Sequence, residues 1–144
     1  MSQRRRERAY EITWLIRRTF RAMGARADEY LADAELSVAD RAVMEFLHPR
    51  RELSVPEIAR RYDVSRQHVQ VTVNALVTKG LLRSVENPKH KRSRLMRLSR
   101  LGRNTFEEIR RNESAVIDRI FRDVPDDALE TTHETLKALL QNLR

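Results

Sequence analysis

The chain has 144 residues, of which 40% are hydrophobic and 35% charged, and its formal net charge is +8 at pH 7. This length provides one domain of ordinary size with its own core, and the positive charge favours a polyanionic partner such as nucleic acid or a membrane surface. The lack of cysteine excludes disulfides, thiolate metal sites and a thiol redox sensor. No apolar run approaches the roughly 20 residues that span a bilayer, and no apolar segment of a secretory signal follows the basic start MSQRRRER. We therefore expect a cytoplasmic protein with no membrane partner.

Two helices are predicted before residue 50. Residues 7–34 have apolar side chains at helical spacing and no proline, and Gly24 marks a candidate kink or weak point. A second helix is expected from Ser37, where Asp40 completes a capping box, and it ends at Pro49.

A third helix is predicted from Ser54. Ser54 and Glu57 form a capping box, and Pro56 lies in the first turn, where its missing N–H costs no hydrogen bond. The next three residues, Asp-Val-Ser at 63–65, form a turn that ends in a good N-cap, Ser65.

The segment SRQHVQVTVNALVTKG, from Ser65 to Gly80, has two interpretations. The alternation of valines with polar residues over 69–73 is typical of a half-buried strand. The serine cap, the glycine stop and the 14 residues between them favour a helix. A helix would place four apolar side chains on its buried side: Val69, Val73, Leu76 and Val77. We expect the helix.

A β-hairpin and two further helices are predicted in the rest of the chain. The strands are residues 81–85 and 94–98, and the connection ENPKHKRS makes a long basic loop. Residues 85–103, which include this loop, contain seven Lys or Arg and one acid. A charge run is most often only a solvated face, but this one lies in a hairpin. One helix begins at Ser99, and the last follows Pro125 with a stripe of leucines: Leu129, Leu136, Leu139, Leu140 and Leu143.

A capped helix, a tight turn, a second helix and a basic hairpin together predict a winged helix-turn-helix. An α-helix fits the major groove of DNA, where amides pair with adenine, arginine pairs with guanine, and a valine can meet a thymine methyl. The loop cations would contact the flanking phosphates or the minor groove. The candidate DNA contacts are Ser54, Ser65, Arg66, Gln67, His68, Gln70, Val71, Asn74, Lys89, Lys91, Arg92 and Arg94.

The segment LSVPEIARRYDVSRQHVQVTVNALVTKGLLRSVENPKHKRSRLMRLSRLGR resembles the DNA-binding core of the MarR family, the multiple-antibiotic-resistance-type regulators. In that family the recognition helix ends in K-G-L and the wing ends in L-T-x-x-G. The corresponding letters here are KGL at 79–81 and LSRLG at 98–102. The close match covers about residues 53–103, and a looser one covers nearly the whole chain. The wing and its end are fairly specific signals, whereas the bare helix-turn-helix is not.

The resemblance implies a mainly α fold with a small β-hairpin wing and interleaved N- and C-terminal dimerisation helices. It assigns residues 1–36 and 123–144 to those dimerisation helices, and residues 37–122 to the DNA-binding lobe and its connecting helix. The apolar sides of residues 10–31 and 129–143 agree with it, because one small lobe does not need both. A homodimer would set two recognition helices about one DNA turn apart, which predicts a pseudo-palindromic operator.

The wing loop departs from the family pattern. Wings in the family often carry an acidic residue that orients a wing arginine by a salt bridge, but residues 89–92 here read KHKR. This composition predicts a more mobile wing and strong non-specific attraction to phosphate. Arg92 matches the family arginine, so we expect it to be the side chain that enters the minor groove.

Many members of the family bind small aromatic or other anionic ligands between the dimerisation and DNA-binding parts. The candidate lining here is Trp14, Arg17, Phe20 and Phe46, although aromatics at helical spacing more often belong to a core. The four histidines have no metal-ligand spacing, and three glycines provide no phosphate-binding loop. We therefore expect no metal, no cofactor and no enzymatic activity.

Three functions are open from the sequence. The first is a sequence-specific repressor relieved by a small aromatic or anionic effector. The second is a DNA-binding regulator without a small ligand. The third is a winged-helix protein-interaction module with a basic docking surface, and polar amides at the start of the recognition helix favour DNA over it.

Overall fold

The computed structural model describes residues 1–143. These residues form six helices and three strands: α1 (Gln3–Ala32), α2 (Val38–Leu47), β1 (Leu53–Ser54), α3 (Val55–Tyr62), α4 (Arg66–Thr78), β2 (Leu82–Val85), β3 (Leu95–Leu98), α5 (Arg100–Ile120) and α6 (Asp126–Asn142). The chain divides into two compact units, Met1–Arg111 and Asn112–Arg144. The predicted mainly α fold with a small wing is confirmed, and no helix of residues 1–143 is long and apolar enough to cross a membrane.

The predicted helix starts at residues 37 and 54 are confirmed by their caps. Ser37 Oγ accepts a hydrogen bond from the Asp40 N–H at 3.0 Å, and the Asp40 carboxylate accepts one from the Ser37 N–H at 2.9 Å. Ser54 and Glu57 form the same reciprocal box at the start of α3. Each box satisfies two backbone N–H groups that a helix end would otherwise leave unpaired.

The first helix is longer than predicted. It begins at Gln3, four residues before the expected start, because the hydroxyl of Ser2 caps it by accepting from the Arg5 N–H. It also continues through Gly24 without interruption. The glycine that suggested a weak point therefore lies in the interior of one helix.

The ambiguous segment from Ser65 to Gly80 is a helix, as expected. Three of the four side chains predicted to be buried are so, but Val77 is 42% exposed. Thr72 takes its place on the buried side at 7% exposure, and its hydroxyl donates to the His68 carbonyl oxygen at 3.1 Å. That bond lets a polar residue lie against the core, because its O–H is satisfied within the helix.

A single hydrophobic core holds the first unit together. It joins the C-terminal end of α1 to the winged lobe and the first turns of α5. Its largest fully buried side chains are Phe106, Leu31, Met44, Leu47, Ile58, Leu76 and Leu98. α4 is therefore fixed along its whole inner side, and its other side is left free.

The wing belongs to a three-stranded antiparallel sheet of order β1-β3-β2. β2 pairs with β3 from Leu82 opposite Leu98 to Val85 opposite Leu95, close to the predicted hairpin. The sequence did not predict β1, because two residues, Leu53 and Ser54, are too short to show alternation. This strand attaches the wing to the residue that caps α3.

Candidate nucleic-acid interface

The outward side of α4 presents a row of polar side chains. Arg66, Gln67, Gln70 and Asn74 are all exposed, and Val71 is 65% exposed at the edge of the row. At 1.5 Å per residue, the row from Gln67 to Asn74 extends about 10 Å, or roughly three base-pair steps. These side chains have the size and chemistry to reach base edges in a major groove.

Two amides of this row, those of Gln70 and Asn74, are joined by a hydrogen bond. Gln70 Nε2 donates to Asn74 Oδ1 at 2.8 Å. The residues are four apart, so their side chains are neighbours on the helix surface. The bond links two exposed side chains that the sequence predicts as separate candidate DNA contacts.

The KGL motif at residues 79–81 and the LSRLG motif at residues 98–102 are joined by hydrogen bonds. Gly80 has a φ of 75°, a left-handed value that favours glycine, and it ends α4. Ser99 Oγ donates to the Gly80 carbonyl oxygen at 2.6 Å and accepts from the Gly102 N–H at 2.9 Å. The Ser99 N–H also donates to the Leu81 carbonyl oxygen at 2.9 Å. The end of the recognition helix is thus tied to the start of α5.

Gly102 is required by a close approach of backbones. A Cβ added at this position would lie 2.0 Å from the carbonyl oxygen of Leu81 and 2.9 Å from its carbonyl carbon. No side chain lies between α5 and this segment, so only glycine allows the contact. The last letter of the LSRLG motif therefore has a steric cause.

Lys79 attaches the C-terminal end of α4 to the turn between α1 and α2. Its ammonium group donates to the carbonyl oxygen of Glu35 and lies 3.9 Å from the Asp40 carboxylate. Glu35 has a left-handed φ of 53° in that turn. The lysine thus fixes the position of α4 relative to the helix that precedes the lobe.

Asn87 organises the wing loop. Its side chain donates to the Ser93 carbonyl oxygen at 2.9 Å and accepts from the Lys89 N–H at 3.1 Å. At the base of the loop, Arg94 donates to the hydroxyl and the carbonyl oxygen of Ser84. None of these bonds involves an acidic side chain, and the predicted mobility of the wing stays a prediction.

The basic tip of the loop stands free of acids. Lys89, Lys91 and Arg92 are exposed, and none of the three forms an ion pair within residues 1–143. Uncompensated cations on an exposed loop suit a phosphate backbone, because binding releases the counterions of the nucleic acid.

Two grooves bring the predicted contacts together. The first, of about 870 Å³, lies between α4 and the wing. The candidate DNA contacts that line this groove are Arg66, Gln67, Gln70, Asn74, Arg92 and Arg94. The second, of about 760 Å³, brings Ser54, Arg66 and Lys89 together. Ser65, His68, Val71 and Lys91 are exposed but line neither groove.

Comparison with known proteins identifies the family. The model of the MarR family matches residues 34–93, which contain the helix-turn-helix and most of the wing. The chain belongs to the MarR family. Members of this family are transcription regulators rather than enzymes, which confirms the expectation that the chain is not an enzyme.

The similarity of this MarR-family chain to its curated relatives extends over nearly its whole length. The uncharacterized protein Rv2011c of Mycobacterium tuberculosis is 33% identical over 137 residues, covering 94% of this chain and 89% of that protein. The same identity and coverage hold for an uncharacterized protein of Mycobacterium bovis. The chain is therefore similar to whole mycobacterial proteins rather than to a part of them.

Solved structures show the same MarR fold. The MarR family transcription regulator SP03579 has a TM-score of 0.88 at 21% identity, covering 97% of this chain and 93% of that one. BldR from Sulfolobus solfataricus has a TM-score of 0.85 at 20% identity, covering 99% of both chains. Wild-type MarR from E. coli has a TM-score of 0.74 at 20% identity, covering 89% of this chain and 96% of that one.

Ser54 is placed differently from the other predicted DNA contacts of this MarR-family lobe. It is 5% exposed, and its hydroxyl donates to Glu57 Oε2 at 2.9 Å. The Ser54 N–H donates to the same oxygen at 2.8 Å. The side chain is thus engaged in capping α3. Ser65, by contrast, is exposed, and its hydroxyl accepts from the His68 N–H at 3.1 Å, which leaves its O–H free to donate.

The Ser54 cap predicts a pH-dependent stability. Backbone and side-chain hydrogen bonds from Ser54 lower the pKa of Glu57, with Arg60 and Arg61 adding to the effect. A carboxyl whose pKa is lower in the folded state stabilises the fold above its unfolded pKa and loses that contribution as the pH falls through its folded pKa. We expect Glu57→Gln to cost about 0.5 kcal/mol at pH 7, because the amide oxygen can still accept from Ser54 but the negative charge at the start of α3 is lost. The difference from wild type should shrink as the pH falls below about 4.3, the ordinary range for glutamate.

Urea unfolding of both proteins at one protein concentration, from pH 7 to pH 3, measures this difference. Glu108→Gln, at an exposed position on α5, is the control and should follow wild type at every pH. A gap between wild type and Glu57→Gln that stays constant down to pH 3 would contradict the role of the Glu57 carboxylate.

The four candidate ligand residues do not converge within the first unit. Phe46 is half-buried against the core, with its ring centroid 5.8 Å from that of Tyr62. Trp14 is 59% and Phe20 80% exposed on α1, and Arg17 is exposed between them. Trp14 is 17 residues from the buried Leu31, which corresponds to about 25 Å along the helix. Their assignment to a MarR-type ligand site stays a prediction.

A cluster of potential metal ligands lies on α6. Atoms of Glu130, His133 and Glu134 are within 4.8 Å of one another, and all three residues are exposed. Glu134 is already 3.1 Å from the Lys137 ammonium and 3.3 Å from His133 Nδ1. A neighbouring cation opposes the binding of a metal ion, so we assign no metal to this cluster.

Proposed function

We propose that this chain binds double-stranded DNA sequence-specifically as a homodimer and represses transcription from a pseudo-palindromic operator. The outward side of α4 carries the proposal, because polar side chains of base-reading chemistry stand there beside a basic wing. A recognition helix held against a core on one side can enter the major groove with the other. The wing cations then meet the flanking phosphates or the minor groove, where Arg92 is the proposed side chain.

Exposed apolar side chains support the homodimer. α1 carries an exposed row that continues the line of the partly buried Ala27 and the buried Leu31. We call it the α1 stripe, and it consists of Ile12, Ile16, Phe20 and Met23. The second unit exposes Ile117, Ile120, Leu136, Leu139 and Leu140. Apolar surface of this extent is typical of a protein interface. A second copy of the chain is the partner that we propose for it.

Two substitutions separate base reading from phosphate contact. Gln70→Ala should lower affinity for the operator by about tenfold per half-site while leaving random DNA unaffected, since it removes one base contact from each recognition helix. Lys91→Ala should weaken binding to every duplex and reduce the slope of log affinity against log salt by about 0.9. Fluorescence anisotropy on operator and scrambled duplexes at several salt concentrations measures both effects. Equal losses on both duplexes for Gln70→Ala would contradict base reading, and an unchanged slope for Lys91→Ala would exclude that lysine from the phosphate contacts.

The proposed repressor is released by a small aromatic or anionic effector. The exposed aromatic rings and arginine of α1, Trp14, Arg17 and Phe20, support this part of the proposal, since they can stack on and pair with an aromatic acid. A thermal-shift screen with aromatic acids tests it, because a ligand that binds the folded state raises the melting temperature. The expected result is stabilisation by one acid that also lowers operator affinity.

A regulator without a small ligand is the second candidate. The position of Phe46 favours it, because that ring packs on Tyr62 and the core instead of joining the aromatics of α1. A screen in which no acid changes either the melting temperature or operator affinity would replace the first candidate by the second.

A further inference from the structure

Two exposed amides form a hydrogen-bonded pair in the middle of α4, on its outward side. Gln70 Nε2 donates to Asn74 Oδ1 at 2.8 Å, and both side chains are exposed. The buried residues Val69, Thr72, Val73 and Leu76 lie on the opposite side of the helix. The pair therefore lies on the solvent-exposed side of α4, away from the hydrophobic core.

We propose that Asn74 is a positioning residue that fixes the Gln70 amide to read adenine in the major groove. This inference rests on the proposed DNA-binding function and specifies the base that one of its residues selects. Gln70 would touch the base, and Asn74 would act through Gln70.

The hydrogen-bond inventory of the pair gives the direction of selectivity. A glutamine amide has two N–H donors and one carbonyl oxygen. One N–H of Gln70 is used by Asn74 Oδ1, which leaves one N–H and Oε1. Adenine presents the N7 acceptor and the N6 amino donor in the major groove, so this remaining pair matches it with two hydrogen bonds. Guanine presents two acceptors, N7 and O6, so one of them would face Oε1 without a donor.

The contribution of Asn74 is to choose the orientation of that amide. The terminal torsion of glutamine is broad and roughly two-fold, so a free amide exchanges the places of its oxygen and nitrogen at little cost. An acceptor at Asn74 Oδ1 favours the orientation in which Nε2 faces it. Asn74 thereby restricts the rotation of the Gln70 amide before DNA binds, which lowers the entropic cost of binding.

Variants at residue 74 separate positioning from direct base contact. Asn74→Leu keeps the approximate shape but removes the acceptor. Asn74→Asp keeps an acceptor for Gln70 and removes the amide donors of residue 74. The added charge of aspartate should weaken binding to all duplexes by repelling phosphate, but it should leave the ratio between adenine and guanine unchanged. Asn104→Ala, on α5, is the matched control because it removes an exposed amide that lies outside α4, the wing and the predicted dimerisation helices.

The experiment is selection of the full-length protein on a randomised duplex pool, followed by anisotropy on the selected duplex. Wild type, Asn74→Asp and Asn104→Ala should prefer adenine over guanine by about tenfold at one base pair of each half-site. Gln70→Ala and Asn74→Leu should both lose most of that preference at the same base pair, and the double variant should lose no more than Gln70→Ala. Replacing the selected adenine by 7-deazaadenine, which lacks the N7 acceptor, should weaken wild type about tenfold and leave Gln70→Ala unaffected.

Each remaining outcome overturns the inference. If Asn74→Leu retains full adenine preference, or changes a different base pair from Gln70→Ala, Asn74 does not position Gln70, although the proposed function stands. Loss of the preference in Asn74→Asp would show that the amide donors of residue 74 read the base directly. If wild type enriches no sequence from the pool, the proposed sequence-specific function itself fails.

Discussion

Gly102→Ala is expected to destabilise the protein by about 3 kcal/mol, since overpacking against a backbone cannot be relieved by a rotamer change. The new Cβ would lie 2.0 Å from the Leu81 carbonyl oxygen. The first turn of α5 would have to move away, and the bonds of Ser99 Oγ to the Gly80 carbonyl oxygen and the Gly102 N–H would be stretched or lost. Urea or thermal unfolding at a fixed protein concentration measures the loss.

Gly24→Ala is the matched control. A Cβ at Gly24 meets nothing within 4 Å, and the residue lies inside α1. Alanine should therefore stabilise the helix by about 0.5–1 kcal/mol, because glycine loses more backbone freedom on folding. The same substitution thus has opposite signs at the two positions. A Gly102→Ala protein as stable as wild type would contradict the close contact between α5 and Leu81.

Placing charges on the α1 stripe is expected to separate the homodimer. The double variant Ile16→Glu/Phe20→Glu replaces two side chains that are 40% and 80% exposed in the single chain by carboxylates. The lobe should therefore still fold. Burying those charges in an interface is costly, which favours the monomer. A monomer reads one half-site, so operator affinity should fall by about a thousandfold, toward the non-specific level.

Light scattering after size-exclusion chromatography gives the mass, and anisotropy gives the affinity for the operator. Gln3→Glu is the control, because it adds a carboxylate to α1 outside the α1 stripe. A double variant that remains a dimer would show that the α1 stripe is not the interface. A monomer that binds the operator as tightly as wild type would contradict the need for two recognition helices.

The sequence predicted those parts of the lobe whose signals are local. The caps at Ser37, Ser54 and Ser65 depend on a side chain and a backbone group three residues away. The local sequence is therefore sufficient to predict these helix starts. The glycine stop of α4 at Gly80 is equally local. The basic loop and the polar side of α4 also followed from composition and spacing.

The parts that the sequence did not predict depend on contacts between distant residues. β1 is a strand only because Leu53 pairs with Met96, 43 positions later. Gly102 is essential because it touches Leu81, and the wing loop is organised by an amide that spans it from Asn87 to Ser93. Such contacts leave no periodic signal in the sequence.

Small rotations of a helix also escape sequence patterns. Val77 and Thr72 lie on opposite edges of the apolar side of α4, and a hydrophobic pattern alone assigns the buried place to the valine. The core instead receives Thr72, whose hydroxyl is satisfied by the His68 carbonyl oxygen. The pairing of Gln70 with Asn74 is similar, since i and i+4 spacing permits the bond but does not require it.

Sequence-specific binding of DNA by the α4 surface and the wing is tested most directly by one comparison. Fluorescence anisotropy of the purified protein would be measured on the intergenic DNA upstream of its own gene and on a scrambled duplex, at two salt concentrations. We predict that the upstream DNA binds about a thousandfold more tightly than the scrambled duplex at physiological salt. Equal affinities that both vanish at higher salt would contradict specific binding and would favour a basic surface that docks an acidic protein.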